Sequence, residues 1–110
     1  MVEYAYSLDN VFSALSDPTR RDMLQRLSSA EFTVGQLAKN YDLTFAAVSK
    51  HLKVLEKAKM ITKRKKGKEQ IVNIAPQPLA DASEYLDWYK KLWEVRLDSL
   101  AAYLEENNDR

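Results

Sequence analysis

The sequence contains no cysteine and one histidine among its 110 residues. Without cysteine there are no disulfides, no thiolate metal sites and no thiol redox sensing, and this composition suits a cytoplasmic protein. No apolar run approaches the length of a membrane span, and the first residues lack the basic start and long apolar stretch of a signal peptide. We therefore expect a protein that stays inside the cell and outside the membrane. Its length suits one domain over residues 1–110.

The same scarcity argues against catalysis. Nucleophilic and acid-base sites need reactive side chains gathered in a pocket. This chain offers no cysteine nucleophile, no Gly-rich phosphate loop and a single histidine inside a cationic segment. The Asp and Glu residues of the C-terminal segment are more simply its solvated face. We predict that the protein is not an enzyme and needs no cofactor.

The small net charge of +1 conceals a strong separation of charge along the chain. The thirty residues from Lys39 to Lys68 carry ten basic and two acidic side chains, a net charge of +8. The other eighty carry seven basic and fourteen acidic side chains, a net charge of −7. Such segregation favours one surface that attracts a polyanion. The alternative is an ordinary solvated charged face.

Two helices are predicted before residue 30. The first has apolar residues at helical spacing, namely Leu8, Val11, Phe12 and Leu15. Asp17-Pro18 is typical of an N-cap followed by proline at the first helical position, which predicts a second helix to about residue 28. The expected inward side chains of this second helix are Met23, Leu24 and Leu27.

A helix-turn-helix is predicted over residues 33–58. Thr33 can cap a short helix, residues 40–43 form a turn, and Thr44 can cap a longer helix over residues 44–58. The threonine hydroxyl accepts a hydrogen bond from a backbone N–H that the first helical turn leaves without a partner. Two helices joined by a turn of about four residues, the second one cationic outward, define the motif.

The longer helix has two faces with different properties. Val48, Leu52 and Leu55 fall on one narrow apolar stripe. The opposite face is small at its start and cationic further on, with Ala46, Lys50, Lys53 and Lys57. A helix that enters a DNA major groove needs little bulk near the base edges and positive charge beside the phosphates.

A β-hairpin, or wing, is predicted over residues 60–75, because two stretches rich in β-branched residues flank Lys66-Gly67-Lys68. Its basic residues are Lys63, Arg64, Lys65, Lys66 and Lys68. Because the hairpin directly follows a helix-turn-helix, we interpret these charges as phosphate contacts. The alternative is a charged edge that discourages strand aggregation.

A long helix is predicted over residues 78–106 with two neighbouring apolar stripes. The first contains Leu86, Trp93, Leu97, Leu100 and Leu104; the second contains Tyr85, Trp88, Leu92 and Tyr103. We expect one stripe to dock on the chain's own core and the other to pack against a second copy in a two-fold dimer. Two alternatives stay open: all these side chains fill an intramolecular core, or they form an aromatic small-molecule pocket.

The sequence resembles the ArsR/SmtB family of winged-helix transcriptional repressors over nearly its whole length. The resemblance is carried by Leu15-Ser16-Asp17-Pro18-Thr19-Arg20-Arg21, Leu37-Ala38, Val48-Ser49-Lys50-His51-Leu52-Lys53-Val54-Leu55, the basic hairpin ending near Ile74, and Trp93-Glu94-Val95-Arg96-Leu97-Asp98-Ser99-Leu100. It implies a mainly α fold with a small β-hairpin, a winged helix-turn-helix that is dimeric through its terminal helices. It also implies that residues 44–58 of each protomer enter successive major grooves of a pseudo-palindromic operator and that repression follows from blocking polymerase.

The chain departs from the metal-sensing members of that family. Some of those members carry cysteines in the helix before the turn, where this chain has Thr33-Val34-Gly35-Gln36. Others carry His and carboxylate pairs in the last helix, which in this chain has no His. Carboxylates alone would be an unusual site for a soft metal. We interpret His51 as a phosphate or packing contact, since a metal site there would lack three further ligands. No metal site is predicted, and any small-molecule effector is unknown.

Two further departures concern the helix over residues 44–58. Relatives usually end it with Gly, where this chain has Lys59, so Lys59 must adopt a left-handed conformation or the helix must end differently. Phe45 occupies a position where relatives often have a polar base-reading residue. Phe45 can pack on the domain, which we favour, or touch a thymine methyl group.

These inferences assign roles to three sets of residues. Those expected to face base edges or nearby phosphates are Thr44, Ala46, Ala47, Ser49 and Lys50, with Phe45 beside them. Those expected mainly to hold the DNA backbone are Gln36, His51, Lys53, Arg64, Lys65, Lys66 and Lys68. The expected dimer interface comprises Leu8, Phe12, Leu86, Trp93, Leu97 and Leu100.

The sequence therefore predicts a sequence-specific DNA-binding repressor that acts as a homodimer. An alternative from another class is a winged-helix interaction module, whose basic face docks an acidic protein. That alternative predicts weak binding to duplex DNA without sequence preference.

Overall fold

The computed structural model describes residues 7–108, and the expectations about residues 1–6 and 109–110 lie outside that range. The described helices are α1 (Leu8–Leu15), α2 (Pro18–Leu27), α3 (Val34–Ala38), α4 (Phe45–Lys57) and α5 (Gln77–Asn108). The described strands are β1 (Phe32–Thr33), β2 (Ile61–Lys66) and β3 (Glu69–Ile74). Residues 7–80 belong to one compact unit, and residues 81–108 of α5 form a second one. The predicted class, mainly α with a winged helix-turn-helix, is confirmed.

Side-chain caps set the start of α2. Asp17 accepts from the backbone N–H of Thr19 (2.8 Å) and of Arg20 (3.2 Å), and Pro18 occupies the first helical position, as predicted. Burial alone would raise the pKa of Asp17, but the backbone N–H of Arg20 and that of Thr19 stabilise the carboxylate and lower its pKa. The sharp start of α2 is therefore encoded locally, in two adjacent residues.

The core of the first unit combines all four of its helices with the sheet. The side chains predicted to point inward from α2 and α4 are buried, and Met60, Ile61, Ile71 and Val72 from the hairpin join them. Among residues 7–108 no polar or charged side chain is buried. Apolar burial is thus the main stabilising contribution to this unit.

The sheet has one strand more than the predicted hairpin. β1 is two residues long and pairs antiparallel with β3, with Phe32 opposite Val72 and Thr33 opposite Ile71. The strand order is therefore β1-β3-β2. Two residues are too few to show an alternating pattern in the sequence. So short a strand forms because its partner in the sheet stabilises it. Thr33 both ends β1 and caps α3.

The end of α4 is a Schellman motif built around Lys59. The N–H of Met60 donates to the carbonyl of Leu55 (3.0 Å), and the N–H of Lys59 donates to the carbonyl of Glu56 (2.9 Å). Lys59 has a φ of 61°, the left-handed conformation that usually calls for glycine. Leu55 and Met60 occupy the two positions whose side chains usually meet in this motif, and both are fully buried.

The wing turns through Gly67 and Lys68. Gly67 has a φ of 64°, whereas among the described residues Lys59 is the sole other residue with positive φ. A two-residue hairpin loop with positive φ at its first central position is of type II′, which requires Gly there. The loop fixes the register in which Lys66 lies opposite Glu69 and Lys65 opposite Gln70.

Helix α5 is longer than predicted, with 32 residues from Gln77 to Asn108. Every residue from 83 to 108 is exposed in the single chain. Its exposed large apolar side chains are Tyr85, Leu86, Trp88, Tyr89, Leu92, Trp93, Val95, Leu97, Leu100, Tyr103 and Leu104. Pairing with a second copy, docking on the chain's own core and an aromatic pocket all stay predictions for these side chains. The sequence pattern shows that a helix face is apolar but not what covers it.

The strain at Lys59 gives a stability prediction. We expect Lys59→Gly to raise the free energy of unfolding by roughly 0.5–1 kcal/mol, because glycine adopts the left-handed conformation without a steric penalty. Urea unfolding at one fixed protein concentration measures the change. The matched control is Lys57→Gly, which replaces a right-handed helical lysine and should lower stability by up to about 1 kcal/mol. Reduced stability in both variants would contradict the assignment of strain to Lys59.

Candidate nucleic-acid interface

The start of α4 is exposed and firmly capped. The hydroxyl of Thr44 accepts from the backbone N–H of Ala47 (3.1 Å), as predicted for an N-cap. Thr44, Phe45 and Ala46 are exposed, and Ala47 is half-buried. The first turn of α4 therefore presents one large side chain among small ones.

Helical spacing divides the surface of α4 into a core stripe and a solvent face, as predicted. Val48, Leu52 and Leu55 have no exposed surface. The opposite face carries Ala46, Lys50, Lys53 and Lys57, all of them exposed. Burial of the stripe fixes the rotation of the helix about its axis, so the cationic face points outward.

One flank of α4 faces the wing across a groove of about 480 Å³. Phe45, Ser49 and Leu52 line the groove from α4, and Lys63 and Lys65 line it from β2. Its other lining residues are Thr33, Val34, Gly35, Lys68, Glu69 and Gln70. An apolar ring, a hydroxyl and several ammonium groups thus share one concave surface.

Lys63 joins the wing to α4. Its ammonium lies 3.6 Å from a carboxylate oxygen of Glu56, and its side chain is 16% exposed. This is a structural ion pair at the inner end of the groove, since the lysine is mostly covered and already has a carboxylate partner. Lys65 and Lys68 are exposed further out on the same side.

The other face of the wing carries Arg64, which is paired. Arg64 Nη2 lies 2.9 Å from Glu31 Oε2, and the side-chain amide of Asn73 donates to the same oxygen at 3.0 Å. These hydrogen bonds, first that from Asn73 and then that from Arg64, lower the pKa of Glu31, and the nearby charge of Lys66 adds to the effect. Because side chains alternate along a strand, Arg64 and Lys66 point away from the groove that Lys65 lines. The wing cations predicted as one set are therefore divided between two faces.

His51 lies on the flank of α4 that faces α2. Its Nδ1 is 3.1 Å from Arg20 Nη1 and 4.0 Å from an oxygen of Asp17. A guanidinium can only donate, so Nδ1 is the acceptor in this hydrogen bond. His51 is half-buried, and its two predicted roles, a phosphate contact and a packing contact, stay predictions.

Arg20 of α2 links the end of α1 to α4, a role that the sequence did not predict. Its Nε donates to the carbonyl of Ala14 (2.9 Å) and its Nη2 to that of Ser13 (3.0 Å). Arg20 thereby satisfies carbonyl groups at the end of α1 while it holds His51 of α4. The family-like segment from Leu15 to Arg21 was the available signal, but it did not reveal these partners.

A second anchor fixes the turn before α4. The hydroxyl of Tyr41 donates to Asp22 (2.6 Å), and Arg26 pairs with the same carboxylate (2.8 Å) and lies 5.8 Å from the centre of the Tyr41 ring. The hydrogen bond from Tyr41, and next that from Arg26, lower the pKa of Asp22. Burial, and then the Asp22 carboxylate, raise the pKa of Tyr41 to about 12. The phenol thus stays neutral and holds the turn against α2.

Gln36, predicted to hold the DNA backbone, takes part in a capping box. Its backbone N–H donates to the hydroxyl of Thr33 (3.0 Å), and its side-chain oxygen accepts from the N–H of Thr33 (3.0 Å). At the other end of α3, the side-chain amide of Asn40 donates to the carbonyls of Gln36 (3.2 Å) and Leu37 (3.3 Å). The exposed side chain of Gln36 therefore has a fixed orientation.

Within residues 7–108, no three His, Cys, Asp or Glu side chains are arranged so that they could hold a metal ion. No helix in the same range is long and apolar enough to cross a membrane. The arrangement that remains is a helix with an outward cationic face, set beside a basic hairpin. Together with the preceding helix and turn, these elements define a winged helix-turn-helix protein.

Comparison with known proteins shows which winged helix-turn-helix proteins this chain is similar to. A family described as a helix-turn-helix domain matches residues 15–64. The HTH-type transcriptional regulator Rv2034 of Mycobacterium tuberculosis is 33% identical over 103 residues, which are 94% of this chain and 94% of that protein. The transcriptional repressor SdpR of Bacillus subtilis is 32% identical over 79 residues, 72% of this chain and 88% of that protein.

A solved structure is similar over most of the chain. The crystal structure of the ArsR family transcriptional regulator RHA00566 matches with a TM-score of 0.77 and 36% identity, and covers 86% of this chain and 97% of that one. The chain belongs to the ArsR/SmtB family of winged-helix transcriptional regulators.

Proposed function

We propose that this protein is a sequence-specific DNA-binding transcriptional repressor that works in the cytoplasm as a homodimer and has no catalytic activity. The observation that carries the proposal is the solvent face of α4, which is small at Ala46 and cationic at Lys50, Lys53 and Lys57. The apolar stripe behind it is fully buried, so the helix presents this face in a fixed orientation. The repressor SdpR, similar over 88% of its length, supports the direction of regulation.

The geometry supports different roles at the DNA for two sets of residues, one near the base edges and one at the phosphates. Thr44, Ala46, Ala47, Ser49 and Lys50 belong to the first half of α4, the end that approaches base edges in helix-turn-helix proteins. Lys53, Lys65 and Lys68 are exposed cations suited to phosphate contacts, which set register without reading sequence. His51 can donate to a phosphate through Nε2 while Nδ1 stays with Arg20. Gln36, Arg64 and Lys66 complete the backbone set, with Arg64 held by Glu31 in the free protein.

The apolar faces of α5 support the homodimer. Trp93 and Leu97 are 61% and 57% exposed in the single chain. Exposed apolar patches of this extent on a small protein mark association surfaces. A second copy of the same helix offers an equally apolar face, and two-fold pairing would set two α4 helices against two half-sites. Leu8 and Phe12 of α1 are half-buried and are proposed to join this interface.

Substitution of a residue that holds a phosphate and substitution of a residue that reads a base should have different effects on DNA binding. Lys65→Ala should weaken binding to all duplexes alike and reduce the slope of log affinity against log salt by roughly 0.9 for each phosphate that is no longer neutralised. Lys50→Ala or Ser49→Ala should instead change the preference among operators. Fluorescence anisotropy with operator and scrambled duplexes over a salt series measures both effects. Equal weakening by all variants on every sequence would contradict the division.

Glu31 is predicted to limit the contribution of Arg64. Glu31→Gln keeps a hydrogen-bond partner for Asn73 but frees the guanidinium. We therefore expect tighter binding to every duplex and a salt slope steeper by roughly 0.9 per half-site. Glu69→Gln is the matched control, because it removes the same charge at the wing tip without releasing an arginine. The double variant Glu31→Gln/Arg64→Ala should lose the added slope. An identical response to Glu31→Gln and Glu69→Gln would show that Arg64 is not involved.

Dimerisation is tested by placing a charge in the apolar face. Trp93→Glu should split the dimer and weaken operator binding by roughly 10²- to 10⁴-fold, because one half-site loses the effective concentration that linkage supplies. Analytical ultracentrifugation gives the mass, and anisotropy gives the affinity. Lys91→Glu introduces the same side chain on the polar side of α5 and should stay dimeric. A monomeric Trp93→Glu that binds the full operator as tightly as the parent protein would rule out this arrangement.

A further inference from the structure

Phe45 is the large apolar side chain at the first position of α4, and it is 63% exposed. The favoured interpretation from sequence, that this ring packs on the domain, is wrong. The stripe that enters the core begins one turn later, at Val48, so the first-turn position lies beside the core and not over it. A phenylalanine that gains little from burial in its own chain is free to contact another molecule.

The surroundings of Phe45 indicate what that molecule is. The ring lines the groove between α4 and the wing, together with Ser49, Lys65 and Lys68. Its chain neighbours Ala46 and Ala47 carry only a methyl group each, so the ring projects beyond them. A single exposed apolar residue usually has no significance. This one lies on the cationic side of the chain, at the helix end that approaches base edges in helix-turn-helix proteins.

The chemistry of a benzyl group restricts what it can recognise in a major groove. The edges of the base pairs there present hydrogen-bond donors and acceptors, and one apolar group, the C5-methyl of thymine. A phenyl ring placed against the polar groups would remove them from water without replacing their hydrogen bonds, which is unfavourable. Contact with the methyl group has no such cost and buries apolar surface on both sides.

We infer that Phe45 is a specificity-determining residue that selects a thymine, through its C5-methyl, at one position of each operator half-site. This inference rests on the proposed function, because it specifies part of the DNA sequence that the same surface would bind. Ser49, one turn further along the same flank, and the nearby lysines would contact polar groups around that base pair. Burial of one methyl group corresponds to roughly a fourfold change in affinity, and of two methyl groups in a dimeric site to roughly fifteenfold.

The experiment removes the methyl group from the DNA and leaves all else unchanged. Duplexes recovered from a random-sequence library by selection with the full-length protein are resynthesised with deoxyuridine in place of thymidine, one position at a time and then in both half-sites. Deoxyuridine lacks the methyl group and keeps every hydrogen-bonding atom. Affinities are measured by anisotropy for the parent protein, for Phe45→Ala and for Ser49→Ala.

The inference predicts one position per half-site at which deoxyuridine weakens the parent protein about fourfold, or about fifteenfold when both are replaced. Phe45→Ala should be insensitive to that replacement, and Ser49→Ala should remain sensitive. A parent protein that is indifferent to deoxyuridine at every position would overturn the inference, and so would a Phe45→Ala variant with undiminished sensitivity. Failure to select any duplex would instead contradict the proposed function, so the two failures are distinguishable.

Discussion

The geometry of the interface depends on the way in which α4 ends. The hydrogen bond from Met60 to Leu55 closes the helix, and the left-handed Lys59 turns the chain directly into β2. Met60 is fully buried, and its carbonyl accepts from the N–H of Ala75 at the far end of β3 (2.8 Å), so both ends of the hairpin are fixed at one point. The Glu56–Lys63 pair adds a second connection on the groove side. The groove between α4 and the wing therefore has a defined width in the free protein.

Two anchors on α2 hold α4 from the other side. Tyr41 ties the preceding turn to Asp22, and Arg20 contacts His51. Both contacts are partly exposed, so we attribute to them orientation more than stability. Helix α4 is consequently fixed at its start, along one flank and at its end.

Local chemistry made much of this predictable from the sequence. The caps at Asp17 and Thr44, the stripe at Val48 and Leu52, and the turn at Gly67 each depend on a few neighbouring residues, and the structure contains them as predicted. The features that the sequence did not predict depend on contacts between residues that are far apart in the chain. Arg64 meets Glu31 only after β1 pairs with β3, and a two-residue strand leaves no pattern to predict that pairing. Periodicity also could not place Phe45, because a residue at the margin of the apolar stripe is covered or exposed according to its neighbours.

Charge separation links the fold to the proposed activity. The basic segment between Lys39 and Lys68 contains α4 and most of the wing, whereas acidic residues predominate elsewhere in the chain. A surface of one sign draws a polyanion towards that segment and disfavours other orientations. Pairing of Arg64 with Glu31 lowers the cationic charge available on the outer face of the wing. In the proposed repressor, this pairing would weaken sequence-independent attraction on that face and leave selectivity to the residues of α4.

The most direct test of the central claim is iterative selection of random duplex DNA by the purified protein at about 150 mM salt with competitor, followed by sequencing of the bound fraction. The proposed repressor predicts enrichment of an inverted repeat whose half-sites lie about one helical turn apart. A bound fraction with no enriched sequence would contradict sequence-specific recognition, and would favour a protein partner for the basic face.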